Sequence, residues 1–354
     1  MPWIRIPVPP DRPGALFGAF ECEGNHHERF HRHWGHLHDP HVRALAWLLD
    51  APDLLDVESP RWQGKIASFQ IDPPAVHAWL SALDKNPSVL TAYLAKMPTF
   101  RLGRYAEKLL TFYFEWNGTL MAHGLQVQAC GGNTIGEFDF LLYEGQNLVH
   151  IELATKFYLF ETAPSTDVAE YFIGPNLADT LGAKMQKILH RQLALASHPA
   201  AHAYLPQPVT RSQALVKGWL FYQHSPSPPL VSAGVASDHC RGFWCSLSEF
   251  LHGDFMHAST IGFLHLPRLA WLAPASAASH EVQDHHDVSA FLATHFSVDS
   301  TPVMIALMRI SKVQENLPTL QTMYEFARCF VVPDDWRGRV SERNQRTILQ
   351  SEVA

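Results

Sequence analysis

The segment that most constrains this chain lies at residues 137–159, where two apolar runs alternate with charge at a period of two and are joined by Glu144-Gly145-Gln146-Asn147. That period is the signature of a strand, and a short polar joint containing glycine predicts that the two runs pair as an antiparallel hairpin. Sorted by it, residues 148–159 put Val149, Ile151, Leu153, Thr155, Phe157 and Leu159 on one face and Leu148, His150, Glu152, Ala154, Lys156 and Tyr158 on the other. In the preceding run Phe138 and Phe140 point one way, Glu137 and Asp139 the other. Asp139 and Glu152 are therefore expected to converge on one face of a sheet whose opposite face is core.

Before the hairpin the pattern is helical. Val42, Leu45, Ala46, Leu48 and Leu49 recur at helical spacing behind Asp39-Pro40, a start signal in which a carboxylate caps free amides and proline takes the first turn. Pro73-Pro74 ahead of residues 76–83 and Asn86-Pro87-Ser88 ahead of 89–96 predict two more helices, and 102–116 a long amphipathic one. Residues 125–129 read as a further strand, and 176–196 as a helix behind the hairpin. The remainder alternates short apolar runs, at 218–222, 242–245, 261–266, 303–308 and 330–332, with loops rich in Pro and Ser. With 47% hydrophobic and 17% charged residues among 354, the chain can bury a large core. The expected architecture is α/β: a helical N-terminal region at 1–96, a core at 97–200 with a mixed sheet flanked by helices, and an α+β C-terminal extension at 201–354.

Two carboxylates and an ammonium on one sheet face suit a divalent cation. Magnesium takes oxygen ligands at about 2.0–2.1 Å and is commonly held by one or two protein carboxylates together with substrate phosphate. Asp139 and Glu152 fit as ligands of Mg2+ (or Mn2+), and Lys156 as the group that stabilises charge developing on a phosphodiester. The helix at 176–196 carries Lys184, Lys187 and Arg191 at i, i+3 and i+7, on one face, with Gln192 beside them. A basic row next to such a site would hold a phosphate backbone, so nucleic acid, DNA or RNA, is the expected partner. The formal net charge of −7 excludes a globally basic, histone-like binder but not a local basic groove. The plainer alternative is a solvated surface: acids on an exposed strand face, cations on an exposed helix face, and Arg101, Arg104 and Lys108 in weak ion pairs around Glu107.

The order of these motifs resembles a known superfamily. Residues 102–107 (Leu-Gly-Arg-Tyr-Ala-Glu) on a helix, Gly136-Glu137-Phe138-Asp139 on a strand and Ile151-Glu152-Leu153-Ala154-Thr155-Lys156 on the next are similar to the core of the PD-(D/E)XK nucleases, the restriction-endonuclease-like fold. Residues 41–49, Ile173-Gly174-Pro175-Asn176 with Asp179 and Lys184, Gln192-Leu193, Gly242-Phe243-Trp244 and 331–336 resemble the bacterial domain-of-unknown-function family numbered 1853, which is placed in that superfamily. The resemblance spans most of the chain. It implies a metal-dependent nuclease in which Asp139 and Glu152 are the metal carboxylates, Glu107 a supporting catalytic acid on the helix, Lys156 the catalytic lysine, and Lys184 and Gln192 neighbours of the phosphate. One departure stands out. The superfamily places its lysine two residues after the acid, where this chain has Ala154; Lys156 lies on the same face about 6.6 Å further along, within reach of a flexible four-carbon stem. The alternative from another class is a nucleic-acid-binding or interaction module that keeps the fold without turnover.

Other signals in the sequence compete with this reading. His27-Glu28-Arg29-Phe30-His31 matches the H-E-x-x-H pattern of zinc peptidases, in which two histidines one turn apart hold the metal. It falls, however, in a tract with seven histidines between residues 26 and 41, Arg29 sits between the ligands, and Leu37 occupies the place of a third histidine. That tract holds much of the excess of 22 His and is expected to face solvent and bind metal adventitiously. His150-Ile151-Glu152 lacks the P-C-x-x-C that a deaminase requires, and no P-loop, G-x-S-x-G or G-x-G-x-x-G is present. Five cysteines, Cys22, Cys130, Cys240, Cys245 and Cys329, without a C-x-x-C pair suit a reducing cytoplasm, and Cys240 and Cys245 read as packing residues. With neither a secretory apolar run at the start nor an 18-residue apolar stretch, the chain is expected to be cytoplasmic and to have no membrane partner.

Overall fold

The computed structural model describes residues 26–69, 73–129, 132–161, 167–223, 233–253, 261–310 and 322–353. Cys22, Cys130 and residues 162–166 lie outside them. Helices α1 (His26–Trp34), α2 (Pro40–Asp50), α3 (Pro73–Lys85), α4 (Ser88–Ala95) and α5 (Leu102–Trp116) come first. The start signal of α2 works as the sequence predicts, since Asp39 accepts from the amides of His41 and Val42. Strands β1 (Leu120–Gln128), β2 (Thr134–Glu144), β3 (Asn147–Phe160) and β4 (Phe172–Ile173) follow, then α6 (Leu181–Lys187) and β5 (Val209–Tyr222). The last part holds β6 (Cys240–Ser246), α7 (Leu247–His252), β7 (Gly262–His265), β8 (Ser276–Ala278), α8 (His285–Val298), β9 (Val303–Ile310), β10 (Thr322–Val332) and α9 (Trp336–Val353).

All ten strands join one mixed sheet in the order β1-β2-β3-β5-β6-β10-β9-β7, with β4 on β3 and β8 on β10. The β2–β3 hairpin is antiparallel, with Leu141 opposite His150. Strands β3, β5, β6 and β10 then run parallel, which requires crossovers and places helices on the faces. The sheet runs across the boundary expected at 200, and its largest apolar cluster draws on all three expected segments, from Leu45 and Trp47 through Leu109 and Phe114 to Trp219 and Phe330. Within it the rings of Trp47 and Trp219 stack with an interplanar angle of 6°. Lys156 of β3 lies opposite Gly218 of β5, where a Cβ would overlap the Lys156 carbonyl, so that approach requires glycine.

The structure differs from the sequence reading at four places. On β3, Val149, Ile151, Phe157 and Leu159 do face the main core, but the opposite face is not solvated: His150, Glu152, Ala154 and Tyr158 are buried too. This strand is flanked by β2 and β5, and Leu181, Met185, Ile188 and Leu193 cover its second face. Phe138 and Phe140 do not point the same way. Phe138 packs with Leu141 and Leu148, Phe140 with the main core against Phe114, so alternation breaks between them at Asp139. The helix expected over 176–196 is short. It starts behind Thr180, whose hydroxyl accepts from the Ala183 amide, and after Lys187 widens into a π turn over Ile188–Gln192.

The histidine tract is the fourth. Rather than facing solvent, His26 and His27 are buried and His31 is nearly so. The Trp47 indole donates to His26, His27 Nε2 lies 3.0 Å from Glu325 Oε1, and His31 Nε2 lies 2.8 Å from the Glu325 carbonyl. Burial depresses all three imidazoles, His31 to about 3, so they are neutral packing groups. Arg328 completes this cluster, bound to Glu325 and lying 3.9 Å over the Trp219 ring. Cys240, Cys245 and Cys329 are buried, as packing residues should be. Among the described residues no helix is long and apolar enough to cross a membrane.

Candidate functional site

The site forms where β2 leaves β3. Pairing between them runs from Glu144 and Asn147 to Phe140 and Ile151, and one step further Asp139 and Glu152 would face each other. There the ladder stops, and the Leu153 amide donates instead to Asp139 Oδ2 at 2.9 Å. A fork of this kind opens a sheet locally and gives a side chain access to unpaired backbone groups. Helix α5 crosses it and delivers Glu107. Ligand-capable oxygens of Glu107, Glu137 and Asp139 all lie within 4.8 Å of one another. Like charges this close oppose ionisation. Burial and then the Glu152 charge push Asp139 up to about 7, while burial and then the Asp139 charge raise Glu107. Arg104, one turn before Glu107, inserts its Nη1 among the acids, 2.8 and 2.9 Å from the Glu107 oxygens and 3.0 Å from Glu137.

Glu152 lies beneath this group. Its Oε1 is 2.8 Å from His150 Nε2, and its Oε2 accepts from the Gln192 amide. Burial pushes Glu152 up to about 7 and His150 down to about 4. His150 Nδ1 is buried without a partner, a cost the fold carries while orienting Glu152. The wide turn at 188–192 brings Gln192 next to Lys184, with Oε1 3.4 Å from Nζ. Burial, then the charges of Lys156 and Lys187, lower the Lys184 ammonium. Lysine 156 is turned toward Asp179, with Nζ 3.0 Å from Oδ2, an oxygen that also accepts from the Tyr158 hydroxyl. The pair is partly exposed, so little energy holds Lys156 there.

A cleft of about 770 Å³ opens over the fork and is lined by Glu107, Asp139, Lys156, Lys184 and Gln192 among others. Of the residues singled out in the sequence, Glu107, Asp139, Lys156, Lys184 and Gln192 line this space, while Glu152, expected as a metal ligand, is buried behind it with both oxygens held by His150 and Gln192. The structure does not bring in Lys187 and Arg191. Lys184 and Lys187 stay on one α-helical segment and the π turn separates only Arg191 from them, but Lys187 and Arg191 are both exposed and neither lines the cleft. Sequence reasoning gave no role to Glu137, although the period of two already aligned it with Asp139, and it read Arg104 as an ion-pair partner of Glu107, which the structure shows with Glu137 as a second partner. The peptidase pattern does not assemble. The Nε2 atoms of His27 and His31 both engage Glu325, while Glu28 points away to Arg309 at 3.0 Å.

The acids suit a hard cation. All nearby donors are carboxylate oxygens, the set that magnesium and manganese prefer and zinc does not. Burial raises the carboxyls of Asp139 and Glu152 to about 7, a perturbation of the kind that clusters at functional sites and also occurs in structural ion-pair networks. No curated protein and no solved structure matches the chain. A family model does: the family described as Domain of unknown function (DUF1853) matches residues 43–332, and the chain belongs to it.

Proposed function

We propose that the cleft hydrolyses phosphodiester bonds of nucleic acid with a bound Mg2+ or Mn2+, on a core of the PD-(D/E)XK, restriction-endonuclease-like type, in the reducing cytoplasm. One observation carries this reading. Glu107, Glu137 and Asp139 gather at the open fork of a hairpin, with Lys156 and Lys184 lining the same cleft. The succession α5, β1, β2, β3, α6, β5, with β5 parallel to β3, supports the choice of core. Asp139 would hold the cation, with Glu107 or Glu137 as a second ligand. Once bound, the cation would polarise the phosphoryl oxygen and lower the pKa of a water.

The chain's own residues do the rest. Glu152, anchored by His150 and Gln192, fixes the negative field under Asp139 and so the affinity for a cation. The Lys184 ammonium, held at Gln192, faces the space a phosphate would enter, and Lys156 joins it by letting go of Asp179. Lys184 thus takes over work that the superfamily pattern assigns to a strand lysine at the position of Ala154. The reading is tested by calorimetry with Mn2+ and Mg2+, then by incubation with single- and double-stranded DNA and RNA. Binding and cleavage by the wild type, both lost in Asp139→Ala, are expected; cleavage that survives the substitution refutes the assignment.

A second reading, a nucleic-acid-binding module without turnover, is favoured by Arg104, whose guanidinium already sits among the acids, and by Glu152, both of whose oxygens are engaged. It predicts nucleic-acid binding that neither divalent ion alters.

A further inference from the structure

We infer that the cleft takes its nucleic acid as a single strand, stacking an unpaired base on Phe100 and seating the flanking phosphates on Arg101 and Arg268. This inference rests on the phosphodiester reading above and names the substrate form. Phe100 is 88% exposed, yet it stands at the cleft, directly before α5. A phenyl ring held in water at the mouth of a charged cleft has no role in the core and presents an open face. Also lining the cleft, the Arg268 guanidinium lies 5.6 Å from the centroid of Trp271. Neither Arg101 nor Arg268 makes an ion pair among the described residues.

Charge points the same way. The chain has a net charge of −7, but the cleft lining holds five cations, Arg101, Arg104, Lys156, Lys184 and Arg268, against three carboxylates. Arg104 is taken up by Glu107 and Glu137 and Lys156 by Asp179, so Arg101, Lys184 and Arg268 are the cleft cations left to complement a phosphate chain. Shape decides the form of the strand. A space of about 770 Å³ is on the scale of a small-ligand cleft, with the acids at its floor. Bases inside a duplex are covered by their neighbours and offer no face to Phe100, whereas an unpaired base offers one whatever its identity. The binding should accordingly be tolerant of sequence and selective for strandedness.

The test is fluorescence anisotropy without divalent ions, using a labelled oligothymidylate and a blunt hairpin duplex of equal nucleotide count. The single strand should bind more tightly. Phe100→Ala should weaken it by about 5- to 100-fold with the salt slope unchanged, Phe100→Trp should restore it, and Arg101→Gln or Arg268→Gln should each flatten the slope by about one. Equal or tighter binding of the hairpin, no binding of the single strand, or indifference to Phe100→Ala overturns the inference. Parallel incubation with Mn2+ separates it from the reading beneath it. Asp139-dependent cleavage of both forms without Phe100 dependence would keep the nuclease and remove the single-strand assignment, and Phe100-dependent single-strand binding without any cleavage would do the reverse.

Discussion

Asp139→Asn should stabilise the metal-free protein, and the pH dependence of that gain is specific. A carboxyl near pKa 7 in the fold against 3.8 in its reference state disfavours folding once ionised, by roughly 4 kcal/mol if the whole difference is expressed. Here the folded pKa lies above the unfolded one. The penalty is therefore absent below the unfolded value, grows as pH rises between the two, and is complete above about 7. An amide keeps the Leu153 contact only if its oxygen faces that N–H, and it is itself partly buried, so about half the figure, roughly 2 kcal/mol, should be recovered. For a chain of this size that is on the order of 2–4 °C in melting temperature. The assay is thermal unfolding of wild type and variant at a pH above 7 and again near 4, with and without Mn2+. The variant should melt higher at the upper pH, match the wild type near the lower, and lose the stabilisation that the ion gives the wild type. A variant that melts lower at high pH, or gains equally at both, would refute the idea that Asp139 is held ionised against its surroundings.

Arg104→Met should tighten Mn2+ binding measured by calorimetry, because the guanidinium no longer competes for Glu107 and Glu137. Gln192→Ala should lower the cleavage rate about 10- to 100-fold while leaving the melting temperature within a few degrees, since it frees Glu152 and Lys184 without opening the core. Lys184→Ala should reduce both nucleic-acid affinity and its salt slope, whereas Lys187→Ala and Arg191→Ala, outside the cleft, should change them much less. Glu325→Gln should destabilise the chain by roughly 3–5 kcal/mol in chemical denaturation, as it leaves Arg328 buried without its counter-charge.

Much of the site could be read from the sequence because a strand's period of two is a rigid rule. Glu137 with Asp139 and His150 with Glu152 follow from it directly, and the hairpin turn sets their register. The rule failed where the backbone breaks it. Phe138 and Phe140 enter different clusters although two residues apart, and the separation of Arg191 from Lys184 and Lys187 depends on a π turn that helical spacing does not announce. The histidine tract misled for another reason. Imidazole is polar enough to look solvated and small enough to be buried when a carboxylate waits for it, and the waiting Glu325 lies 298 residues away. Composition told nothing of that partnership. The mouth of the cleft was equally silent, since an exposed Phe100 and a buried one are the same letter.

That separation has a consequence for how the chain comes to exist. Helix α1 leaves the ribosome almost 300 residues before the strand that neutralises its demand for partners, a wait of roughly 15–60 s at ordinary rates of synthesis. Strand β10, which also pairs β6 in parallel across more than 80 residues, follows the other nine described strands of the sheet. The acidic fork, by contrast, draws on residues 104–192 and can assemble its own contacts long before. A product cut short before β10 would lack the partners of α1 and present its apolar face to chaperones and proteases.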